Sequence, residues 1–183
     1  MGGSALRREV VIAVGLLTAG LRSAAADPPR FGFGTALTPE AVAPFDIEVG
    51  ADGAGLPAGS GTVKAGETVY AQSCAACHGA KGENPISPSI RLTGGMGTLA
   101  TPGAVQTVGS YWPYATTLYD YIHRAMPFNA PQSLSPDQVY AVTAYVLFLN
   151  GIVPETQTLD AGSLPRVRMP NREGFVPVDG SGR

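Results

Sequence analysis

Residues 74–78 read CAACH and hold both cysteines of the chain and one of its two histidines. Two cysteines two residues apart, followed at once by histidine, is the spacing of c-type haem attachment. Each thiol closes a thioether on one vinyl group, and the adjoining imidazole, His78, ligates iron. Such a chain must fold around a flat apolar group that it does not itself supply. A structural zinc site needs four protein ligands. Only Cys74, Cys77, His78 and His123 are on offer, and three of these crowd into one turn. A dithiol redox motif belongs in a βαβ setting, whereas the residues before Cys74 read as helix. The motif therefore predicts one covalent haem c, attached through Cys74 and Cys77.

Haem is joined to such motifs outside the cytoplasm, and the N-terminus agrees. Arg7 and Arg8 precede an apolar run over residues 10–19, and small residues end at Ala24-Ala25-Ala26 before Asp27. This reads as a secretory signal over residues 1–26 with cleavage near Ala26-Asp27. The run falls short of the roughly 20 apolar residues that span a bilayer, so the mature protein is expected to be periplasmic, without a membrane span. The formal charge of −2 becomes more negative once Arg7, Arg8 and Arg22 are removed with Glu9. A mildly acidic surface argues against nucleic acid and anionic lipid as partners.

Helix signals dominate and strand signals are weak, which predicts an all-α fold. Thr62 caps a helix expected over residues 63–76, in which Val63, Gly66 and Tyr70 share a face. Gly66 costs about 1 kcal/mol relative to alanine inside a helix, a cost that a close helix crossing would explain. A second helix lies in SPDQVYAVTAYVLFLNG, where Ser135 and Gln138 form a capping box, Pro136 suits the first position and Gly151 is the stop. It is apolar nearly all round, as befits a helix buried on several sides, with Val142, Tyr145, Val146 and Leu149 available to a haem pocket. A third helix, ATTLYDYIHRAM, is expected to bury Leu118, Tyr121, Ile122 and Ala125. LTPEAV starts a short helix at Pro39. Stretches rich in glycine and proline mark residues 27–61 and 154–183 as arms around a core at residues 62–153.

The second axial ligand is expected to be Met126, in RAMPF at the end of a helix, with Pro127 stiffening its presentation. Met96, in GGMG, is the runner-up and Met169 lies in the terminal arm. His123 sits three residues before Met126 on nearly the same face and reads as a surface or pocket-edge residue. Pro88 is expected to offer its carbonyl to the Nδ1 proton of His78. Trp112 and Tyr111 are expected to reach a haem propionate, and Arg91 to offset its charge. Iron closed on both sides by protein describes an electron carrier without catalytic residues of its own.

With the haem motif, GSYWPYATTLYDYIHRAMPFNAPQSLSPDQVYAVTAYVLFLNGIV and MPNREGFVP on the page, the chain resembles class I c-type cytochromes. More narrowly, it is similar to the cytochrome subunit of Sox-type sulfur dehydrogenase and of related sulfite dehydrogenases. The resemblance implies three to five helices around the haem. It also implies a partner, a molybdopterin dehydrogenase subunit of the sulfite oxidase type, with a downstream cytochrome or oxidase as acceptor. It matches Cys74 and Cys77 to the attachment sites, His78 to the proximal ligand and Met126 to the distal one. A free electron shuttle serving other dehydrogenases or an oxidase is the alternative expectation.

Overall fold

The computed structural model describes residues 33–176 and residue 178. The expected export signal over residues 1–26 lies outside them. The chain divides into two compact units between Pro39 and Glu40. At that division the short helix α1, Pro39–Val42, begins on its proline as expected and buries none of its residues.

The second unit holds α2, Val63–Ser73, followed by the single turn α3, Ala75–His78. After a long loop come α4, Ala115–Ala125, and α5, Pro136–Leu149. Thr62 caps α2 by accepting from the Ala65 amide at 3.1 Å. Ser135 and Gln138 cap α5 reciprocally. Gly151, at φ +67°, ends α5, as Ile152 N–H reaches the Leu147 carbonyl and Gly151 N–H that of Phe148. That pattern is a Schellman motif, and the left-handed residue it requires suits glycine.

From Val139 to Leu147 every residue of α5 is buried, so this helix is the axis of the core. It crosses α2 at Gly66. A Cβ there would fall onto the Ala141 carbonyl and come within 2.8 Å of the Tyr145 Cβ. One turn on, the buried Tyr70 meets Tyr145 with ring centroids 5.3 Å apart. The helix α4 packs against α5 through Tyr119, whose ring lies 4.5 Å from that of Tyr140.

Three departures from the sequence expectations stand out. Helix α2 stops at Ser73 rather than continuing to Ala76. On α4, Tyr121 is 47% exposed while Tyr119 is buried, because Ala115, Leu118, Tyr119 and Ile122 make the i, i+3, i+4, i+7 stripe that meets α5. A two-stranded antiparallel ribbon joins β1, Ser60–Thr62, to β2, Thr158–Asp160, with Gly61 opposite Leu159. Strands of three residues are too short for alternation to register in a sequence. Through this ribbon and the turn Leu164–Arg166, Leu159, Leu164 and Met169 enter the core. Part of the segment read as a C-terminal arm therefore packs as core.

Replacing Gly66 with alanine should lower stability despite alanine's better helix propensity. Overpacking costs about 1–3 kcal/mol, and here the obstruction is backbone that cannot rotate aside. Denaturant unfolding should show a lower midpoint with an unchanged slope.

Candidate haem site

The end of α2 creates the motif's geometry. Cys74 leaves helical conformation at φ −125°, ψ −39°, yet its N–H still donates to the Tyr70 carbonyl at 2.9 Å. The chain then makes one turn, in which the amides of Cys77 and His78 both donate to the Cys74 carbonyl, at 3.1 and 3.0 Å. Both thiols are free, Cys74 half-buried and Cys77 exposed. Gly79, at φ +81°, closes the turn where a side chain would run into the backbone of Asn84.

The Nδ1 of His78 lies 2.6 Å from the carbonyl oxygen of Ile90. A carbonyl only accepts, so Nδ1 carries the proton and Nε2 keeps its lone pair for a metal. The sequence reading assigned this role to Pro88, and the structure corrects it to Ile90. Pro88 opens a 3-10 turn, Pro88–Ile90, and its carbonyl accepts the Arg91 N–H at 3.4 Å. Ile90 closes the same turn and delivers its carbonyl to the imidazole. Nothing in the sequence distinguishes the two carbonyls, because the choice depends on the phase of one short turn.

Burial, with Cys77 nearby as a lesser cause, pushes the Cys74 thiol up to about 11. Thiol–disulfide chemistry wants a thiolate near neutral pH, so this environment does not suit a dithiol redox motif. Among the described residues there is no group of three or more His, Cys, Asp or Glu side chains that could hold a metal ion.

Met126 is the C-cap of α4, its N–H donating to the Ile122 carbonyl at 3.0 Å. It precedes a cis proline. Cys74, Trp112 and Met126, far apart in sequence, all pack half-buried against one hydrophobic core. Met96 is 54% exposed, whereas Met169 is 1% exposed and held inside the core. His123 is half-buried, with its Nδ1 buried and lacking a hydrogen-bond partner.

Trp112 meets Tyr121 of α4 edge-on at 5.8 Å. The loop that carries it is held by the chain's last described stretch. Asn171 Nδ2 donates to the Tyr111 carbonyl at 2.6 Å, Phe175 meets the Tyr111 ring at 5.1 Å, and the Arg172 guanidinium lies 4.2 Å above the Tyr114 ring. The sequence pointed to Tyr111 and Trp112 but not to this strap.

These residues fit a haem. Two unpaired thiols and one imidazole lone pair share a turn. A soft thioether stands at a helix end on the same core. Ile86, whose amide donates to the Cys77 carbonyl, and Phe128, two residues after Met126, are apolar side chains left 76% and 86% exposed.

The helices and this site define a class I c-type cytochrome fold, a domain of electron transfer. The family model for cytochrome c oxidase, cbb3-type, subunit III matches residues 61–146. A chain in the crystal structure of the sulfane dehydrogenase SoxCD from Paracoccus pantotrophus superimposes with a TM-score of 0.75. The two are 44% identical over 82% of this chain and 73% of that one. This chain belongs to the Sox-type c cytochromes.

The helix that presents Met126 is anchored by Asp120. Its carboxylate accepts the Val49 N–H at 2.9 Å and pairs with Arg124 through Nε at 2.9 Å and Nη2 at 2.5 Å. Burial acts to raise its pKa, but the Arg124 and Val49 hydrogen bonds and nearby positive charge together hold it below the ordinary carboxylate value. A depressed folded-state pKa stabilises the fold above the unfolded value, and that contribution is lost as pH falls through the folded value. Asp120→Asn should cost about 1–2 kcal/mol near neutral pH, because Arg124 is half-exposed and its share is screened. The gap to wild type should close as unfolding is measured at progressively lower pH through the carboxylate range.

Proposed function

We propose that this chain is a periplasmic monohaem cytochrome. It takes electrons singly from a molybdopterin sulfite or sulfur dehydrogenase subunit and passes them to a cytochrome or oxidase of the respiratory chain. The observation that carries the reading is the fixed proton on His78 Nδ1, which leaves a ligating Nε2 beside two unpaired thiols. The 44% identity to a chain of a sulfane dehydrogenase complex supports the choice of partner. In this reading residues 1–26 are an export signal, and N-terminal sequencing of the secreted protein finds Asp27 first.

Cys74 and Cys77 would hold the haem covalently, and His78 and Met126 would ligate its iron. The haem supplies a one-electron ferric–ferrous couple. Every other part belongs to the protein. The Ile90 carbonyl accepts a hydrogen bond from His78 Nδ1–H, which fixes the ring and raises its basicity. Met126 offers a soft thioether, which favours the reduced state. The wholly buried stretch of α5 keeps water from the core behind the site, and Trp112 closes its flank against Tyr121. With His78 and Met126 both given to the iron, the site would relay electrons and leave the sulfur chemistry to the partner.

Met126→Ala should turn a low-spin ferric spectrum high-spin and open the iron to cyanide. The reduction potential should fall by on the order of 0.1 V, well inside the span of about 0.8 V that axial ligands command. Met96→Ala should change neither property. Native purification at low salt, with metal analysis, should recover molybdenum alongside iron. Iron recovered alone in a stable monomer refutes the molybdoenzyme partner and favours the free shuttle.

A further inference from the structure

Tyr70 brackets the CAACH segment. Its backbone carbonyl accepts the Cys74 N–H at the start, and its hydroxyl donates to the Gly79 carbonyl at 2.8 Å just past the end. The Gly79 carbonyl also accepts the Gly82 N–H at 3.3 Å. The Gly82 carbonyl in turn accepts from Leu92 and Thr93 at 2.9 and 3.1 Å. Those bonds fold the loop back so that Ile90 reaches His78. Hydrogen bonds therefore lead from the Tyr70 hydroxyl through Gly79 and Gly82 to Leu92, and two residues of backbone carry on from there to the Ile90 carbonyl opposite the imidazole.

Packing alone does not call for this hydroxyl. The ring of Tyr70 lies against Tyr145 at a tilt of 56°, a contact that phenylalanine would make equally well. Nor does the core route every tyrosine hydroxyl to a partner, since that of Tyr119 is buried without one.

Resting on the haem reading above, we propose that the Tyr70 hydroxyl is a positioning group for the axial imidazole, setting the strength of the His78–Ile90 hydrogen bond and thereby the reduction potential. Without it, Gly79 keeps only the Gly82 amide, the loop slackens, and the Ile90 carbonyl pulls less on the Nδ1 proton. A less basic imidazole stabilises ferric iron less, so the potential rises.

The test is Tyr70→Phe in the haem-loaded protein, with Tyr140→Phe as a matched loss. Tyr140 is equally buried, and its hydroxyl donates to the Pro57 carbonyl at 2.9 Å, a loop residue outside the motif. Both variants should unfold more easily. Only Tyr70→Phe should shift the ferric–ferrous equilibrium, by about two- to tenfold toward ferrous, with about 59 mV per tenfold for one electron, and should alter the electron paramagnetic resonance g values. An unchanged potential in Tyr70→Phe, or an equal shift in both variants, overturns the proposal. Should Tyr70→Phe fail to fold, 3-fluorotyrosine placed at position 70 alone keeps the bond and strengthens the donor. It must then lower the potential, and an unmoved value overturns the proposal. A colourless protein from a haem-attaching host refutes the haem reading instead, whereas a coloured one indifferent to position 70 refutes only the role of Tyr70.

Discussion

Two helices meet here without a side chain between them. Where α2 crosses α5, Gly66 lies directly on the backbone of Ala141, and the placement of everything downstream follows from that approach. It sets Tyr70 against Tyr145 and so fixes where α2 ends and which way Cys74 departs from it. The capping box and the Schellman motif hold the two ends of α5, so the helix that receives α2 is defined along its length. A crossing this close can transmit position faithfully because packed interiors yield little.

The site is then built from hydrogen bonds with single meanings. A carbonyl opposite Nδ1 decides the tautomer of the neutral His78 ring. The Asp120 carboxylate ties α4 to Val49 across 71 residues of sequence, so the methionine end of that helix is referred to a segment that precedes the motif. The turns of both candidate ligands, His78 and Met126, are anchored from outside themselves. A haem protein needs that arrangement, because its ligands must keep their geometry while the charge between them changes.

Much of this was legible in the sequence because the signals were local. The Thr62 and Ser135 caps, Pro39, Pro136 and Gly151 each act over a few residues, and each is found where its chemistry predicts. Gly66 was legible as a cost that needed a reason, and the reason is the crossing. The misreadings have physical causes. Cys74 breaks a helix that periodicity would continue. Ile90 rather than Pro88 faces His78 because a three-residue turn sets the phase. Tyr119 displaces Tyr121 from the buried stripe because the angle at which α4 meets α5 is a tertiary fact. The ribbon between Gly61 and Leu159 and the grip of Asn171 on Tyr111 join distant segments, and no local pattern announces such partners.

That grip has a consequence for how the molecule comes into being. Asn171, Arg172 and Phe175 fasten a loop some 60 residues earlier, and contacts so widely separated in a chain tend to form late. The hydrogen bonds within the cysteine-bearing turn, by contrast, reach only three or four residues along the chain, so that turn can form locally while the tryptophan flank waits for the tail.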